Sequence, residues 1–133
     1  MKQPVLLTYN LRGERAAKIR MVAMRFRVRL RDVERREYAR PLAELVESGP
    51  EGDWEGEAFD EEMLVMAHFP PALMQAFLQG LRRAGVRPGG LKAMLTPTNA
   101  QWDSRALHAE LCKEREAISH GAASAHAQAE EKA

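Results

Sequence analysis

The chain has 133 residues, 45% of them hydrophobic and 29% charged, with 20 Lys or Arg against 19 Asp or Glu and a formal net charge of +1. That length and composition suit one globular domain with a real core. No apolar stretch approaches the ~20 residues of a membrane helix. Met1 to Tyr9 is too short and weakly charged for a signal peptide, and a single cysteine, Cys112, excludes an internal disulfide. These features predict a cytoplasmic protein with no membrane partner.

The small net charge hides an asymmetry. Residues 11–40 carry eleven Arg or Lys against four Asp or Glu, a net +7, whereas residues 41–63 carry nine acids and no base, a net −9. Fifteen of the 20 basic residues are Arg, a bias that GC-rich coding produces as readily as selection for an arginine surface.

Pro4 to Asn10 reads as a first strand, with Val5, Leu6 and Leu7 in succession. From Glu14 to about Phe26 the positions Ile19, Val22, Ala23 and Phe26 have helical spacing, with Glu14 near the positive end of the dipole and Arg25 near the other. The period then changes. Phe26, Val28 and Leu30 alternate with Arg25, Arg27, Arg29 and Arg31, the two-residue repeat of an edge strand that buries one face and exposes an arginine row. A short helix is expected from Pro41, with Leu42, Leu45 and Val46 as its apolar side. The glycine-rich acidic stretch at about 47–61 reads as a mobile loop in which Trp54 is an exception, a large apolar side chain in otherwise soluble surroundings.

Met63 to Phe69 is a continuous apolar run broken only by His68, as in a strand covered on both faces. Pro70 and Pro71 open a helix in which Leu73, Met74, Phe77, Leu78 and Leu81 form an apolar stripe. Gly85 suits a left-handed cap, and Leu91 to Leu95 returns as a strand ending in Thr96-Pro97-Thr98-Asn99. Asp103 is an N-cap for a last helix, Trp102 and Leu107 are placed as a hydrophobic staple, and Leu107, Leu111 and Ile118 give a thin buried stripe. Residues 1–119 are thus read as one domain and 120–133 as an Ala-rich disordered or frayed tail.

This alternation favours an α/β fold: a small, four-stranded, mainly parallel sheet of order 2-1-3-4 with helices on both faces. The rival is a ferredoxin-like βαββαβ arrangement with an added C-terminal helix, which the two-faced apolar runs disfavour. The stretches YNLRGERAAKIR, EEMLVMAHF and FLQGLRRAGV, and above all LKAMLTPTNAQWDSRALHAEL, resemble the domain-of-unknown-function family 3783, best from Glu62 to Leu111. The resemblance implies a bacterial cytoplasmic setting and no mechanism.

Three groups of residues could carry function. The strand C-termini gather Tyr9, Asn10, His68, Thr96, Thr98 and Asn99, where open α/β sheets bind ligands; in a 2-1-3-4 sheet a crevice between the first and third strands would set Asn10 beside His68. The same residue types also serve turns and caps. The second group is the row Arg25, Arg27, Arg29 and Arg31, which could meet nucleic acid. It lacks interleaved exposed aromatics, and the acidic segment could neutralise it. The third is His108 and Cys112, one helical turn apart, which need further ligands before they hold a metal. No metal or other cofactor is predicted.

No phosphate loop, GxSxG elbow or HExxH pattern occurs, and catalytic residues are not identified, so an enzyme is disfavoured. The sequence therefore predicts a non-enzymatic regulatory or adaptor module that binds a small ligand or a protein at the strand C-terminal edge. Its alternative is a nucleic-acid-associated protein using the arginine face. Monomer and homodimer are both open, with Trp54 or the last helix as a pairing surface.

Overall fold

A computed structural model describes residues 2–87 and 89–120. Four strands, β1 (Val5–Tyr9), β2 (Arg29–Asp32), β3 (Met63–Ala67) and β4 (Leu91–Met94), alternate with the helices α1 (Gly13–Arg25), α2 (Leu42–Glu47), α3 (Pro71–Arg83) and α4 (Ser104–His120). Short 3₁₀ turns at Arg35–Glu37 and Asn99–Gln101 precede α2 and α4. The sheet order is β2-β1-β3-β4, so the α/β class and the strand order match the expectation from sequence. The tail from residue 121 onward lies outside the described residues. No helix among the described residues is long and apolar enough to cross a membrane.

Strand direction adds what hydrophobicity alone does not contain. β1 runs parallel to β2, and β3 parallel to β4, but β1 and β3 are antiparallel, with Val5 opposite Ala67 and Tyr9 opposite Met63. The molecule is therefore two parallel βαβ units joined back to back in one mixed sheet.

β1 and β3 are buried along their whole length, which is why both read as unbroken apolar runs. Their alternating side chains feed two cores. Leu6, Leu64 and Met66 pack under α1 and α3 with Ile19, Val22, Phe77 and Leu81. On the opposite face Leu7, Tyr9, Met63 and Val65 pack under Tyr38, Leu42, Leu45 and Leu107, that is, under α2 and α4. Helices thus cover both faces.

Local chemistry sets the helix ends. α3 starts at Pro71, where a missing N–H costs nothing. α4 starts after Asp103, whose Oδ1 accepts the Ala106 N–H at 2.9 Å. β2 begins at Arg29 rather than Phe26, because the chain needs Arg25 to end α1 and a left-handed Arg27 (φ 57°) to turn back.

Candidate functional site

The antiparallel pairing of β1 with β3 divides the expected site. Tyr9 and Asn10 end β1 at one edge of the sheet, while His68 and the Thr96–Asn99 turn follow β3 and β4 at the other. No shared crevice joins Asn10 to His68. An apolar run covered on both faces carries no mark of direction, which is why the sequence suggested otherwise.

At the β3–β4 end, the backbone leaves β3 through His68 in a left-handed conformation (φ 61°). A cavity of about 400 Å³ opens there, lined by Val46, Glu47, His68, Leu95, Thr96 and Ala100 together with Lys2, Ala43 and Pro97. A smaller hollow of about 180 Å³ shares Lys2, Val46, Glu47 and His68 and extends to Arg29. Thr98 and Asn99 do not line it. The Asn99 Oδ1 accepts the Thr96 N–H at 2.8 Å, its own N–H reaches Thr96 Oγ1 at 3.1 Å, and its amide donates to Met94 O at 2.9 Å. Asn99 is thus the clasp of the β4 turn, and Thr98 leads into the 3₁₀ turn.

At the other end, Tyr9 and Asn10 are framework. The buried Tyr9 hydroxyl lies 2.7 Å from the buried Ser104 Oγ, so it fixes the first residue of α4. Burial raises its pKa, against the hydrogen bond with Ser104, which lowers it. The Asn10 amide donates to the carbonyls of Phe59 (2.9 Å) and Glu61 (3.0 Å), holding the segment that enters β3.

Arg25, Arg27 and Arg29 are exposed, but Arg31 is buried, so the four do not make one continuous exposed row. Arg25 closes α1 and Arg27 is in the turn. Arg29 donates to Val46 O at 2.7 Å. Arg31 is buried in a two-pronged pair with Glu37, at 2.9 and 2.6 Å, and donates to Ser48 O. The alternation was legible, but not that Glu37 and the segment after α2 bury Arg31. Residues 48–62 contain no helix or strand and are bound largely through backbone carbonyls. Arg40 takes Gly49 O and Glu51 O, and Arg35 takes Gly56 O. Trp54, expected as an exposed pairing surface, is half-buried against the core beneath the Arg105 guanidinium at 3.9 Å, with its N–H on Glu57 O.

This segment ends at a cluster the sequence offered only in part. Glu61 approaches His108 and Cys112: its Oε1 is 3.3 Å from His108 Nε2 and 3.9 Å from Cys112 Sγ, and Sγ is 3.6 Å from the same Nε2. Arg115 pairs with both Glu61 oxygens and lies 3.7 Å from Cys112 Sγ. The Arg115 hydrogen bond, opposed by burial and helped by His108, lowers the Glu61 pKa. The imidazole is held flat against Phe59, with ring centroids 3.9 Å apart and planes 1° apart, and Phe59 stacks in turn on Tyr38. Glu61 is 47 residues from His108, and only the fold of the intervening unit joins them.

No curated protein and no solved structure matches the chain. Residues 62–118, from the threshold of β3 through most of α4, match the family model described as Domain of unknown function (DUF3783).

Proposed function

We propose that this chain is a non-enzymatic, cytoplasmic regulatory or adaptor module that binds a small ligand at the C-terminal end of β3 and β4. The observation that supports this reading is the cavity of about 400 Å³ beside His68 and Thr96, within the range of about 300–1,000 Å³ usual for small-molecule sites. Its walls suit a compact ligand with an apolar body and a polar end: Val46, Leu95 and Pro97 offer apolar surface, and Lys2, Glu47, His68 and Thr96 offer charges and hydrogen bonds. A half-buried histidine in a left-handed backbone supports a role at this site, since a glycine there would cost less. The nucleic-acid alternative is not favoured, because Arg29 and Arg31 are engaged within the fold.

Native mass spectrometry of the gently purified protein tests this. The expected result is added mass that is lost on denaturation and absent from an Ala100→Trp variant, in which the indole fills the cavity. A wild-type protein at its bare chain mass, or retained mass unaffected by Ala100→Trp, would overturn the assignment.

A further inference from the structure

We propose that Glu61, His108 and Cys112 form a three-donor site for a zinc-type divalent ion, at the end of the sheet opposite the His68 cavity and independent of it. Among the described residues these three bring their donor atoms within 4.8 Å of one another. The donor set of carboxylate, imidazole and thiol is one that zinc accepts.

The spacing decides between a metal and the other use of such a trio, a thiol activated by a histidine that a carboxylate orients. That arrangement needs the two partners on opposite ring nitrogens, one holding the imidazole and the other taking the thiol proton. Here Glu61 Oε1 and Cys112 Sγ both approach Nε2, at 3.3 and 3.6 Å, while Nδ1 is 3.9 Å from Sγ. Cys112 also lies within α4, away from the helix N-terminus that would lower a thiol's pKa.

Tetrahedral zinc with bonds of about 2.3 Å to sulfur and about 2.0–2.1 Å to nitrogen and oxygen separates its donors by about 3.3–3.6 Å. The nitrogen–oxygen and nitrogen–sulfur separations already have these values, and only the sulfur–oxygen edge, at 3.9 Å, must shorten.

The surroundings hold the trio in place. Asn10 fixes the Glu61 backbone, the Tyr9–Ser104 contact fixes the start of α4, and Phe59 fixes the imidazole plane. Arg115 pairs with Glu61 Oε2 and also reaches Oε1 at 3.2 Å; on metal binding its bond to Oε1 is given up and the one to Oε2 is kept, as outer partners of metal-bound carboxylates do. Binding removes the Cys112 thiol proton to solvent. Thiolate and carboxylate then neutralise the dication, and the fourth position is left to water or an incoming group.

The test is a cobalt(II) titration of the reduced, full-length protein, followed by zinc(II) competition. We expect one cobalt per chain, a near-ultraviolet thiolate-to-cobalt band with the visible bands of tetrahedral cobalt, and displacement of both by zinc. Cys112→Ser should lose the charge-transfer band, and Glu61→Gln should weaken binding about tenfold or more. Absence of the band in the wild type, or unchanged affinity in either variant, would overturn the site and place any bound ion elsewhere, for example on tail histidines. Should the variants fail to fold, alkylation of Cys112 in the wild type gives the answer: zinc protects the thiol if the site exists, and equal alkylation with and without zinc refutes it.

Discussion

Leu7 and Val65 face each other at the centre of the sheet, and each is the middle residue of its strand. They are also equivalent positions of two similar units. The same chain separation that carries Val5–Tyr9 onto Met63–Ala67 carries Gly13–Arg25 onto Pro71–Arg83, and each unit continues through a strand and a 3₁₀ turn into a helix. The left-handed residues correspond as well, Asn10 with His68 and Arg27 with Gly85. Even the residues before the second helices of the two units, Pro41 and Asp103, meet in an isolated bridge.

The correspondence yields a stability prediction. Arg27 (φ 57°) and Gly85 (φ 84°) both turn the chain out of a helix and back to the sheet, yet only glycine adopts that conformation without a Cβ penalty. Arg27 is exposed, so little packing is lost by removing it. Arg27→Gly should raise unfolding free energy by about 0.5–1 kcal/mol, and Gly85→Ala should lower it by about 1 kcal/mol or more. Urea denaturation of the two variants measures both.

How far the fold could be read from the chain follows from the same two units. Strand order was legible because β1 and β3 are apolar throughout, which places them at the centre. Their relative direction was not, since it depends on how residues 33–62 cross the sheet, and outside a 3₁₀ turn and the short α2 that stretch is irregular. Asn10, Tyr9 and Asn99 were recognisable as special positions at strand ends, but side chains that bind ligands and side chains that bind carbonyls are the same types. His108 and Cys112 could be paired by helical spacing. Glu61 could not be added, because its position depends on tertiary contacts alone.

Asn10 shows how such a framework residue can be separated from a ligand-binding one. Its amide donates to two carbonyls, and its backbone is left-handed at φ 60°. Asn10→Gly keeps the conformation and removes the donors, and should cost about 1–2 kcal/mol. Asn10→Asp keeps the shape but sets an acceptor-only carboxylate against Phe59 O and Glu61 O, and should cost more. Thermal melts near neutral pH should rank the wild type above Gly and Gly above Asp. An aspartate variant as stable as the wild type would show that these two hydrogen bonds contribute nothing.

Glu37 is a fully buried carboxylate. Burial by itself would raise its pKa, but the Arg31 guanidinium and the N–H groups of Glu34 and Glu51 outweigh that and hold it at about 2, against an ordinary 4.5. Arg40 adds a further contact at 3.2 Å. A carboxylate whose folded pKa lies below its unfolded one gives stability that is present above the unfolded value and lost as pH falls through the folded value. Stability should therefore be level above about pH 5.5 and decline between about pH 4.5 and 2, by roughly 3 kcal/mol from this group. Glu37→Gln leaves Arg31 buried without its counter-charge and should cost about 3–5 kcal/mol at neutral pH while removing most of the acid sensitivity. Pairing it with Arg31→Met should recover much of that loss, because the expense lies in the unpaired charge more than in the absent bond. Denaturation at pH 7 and pH 3 on the wild type, Glu37→Gln and the double variant decides the matter. A single variant that keeps the full acid transition would assign that transition to other carboxylates.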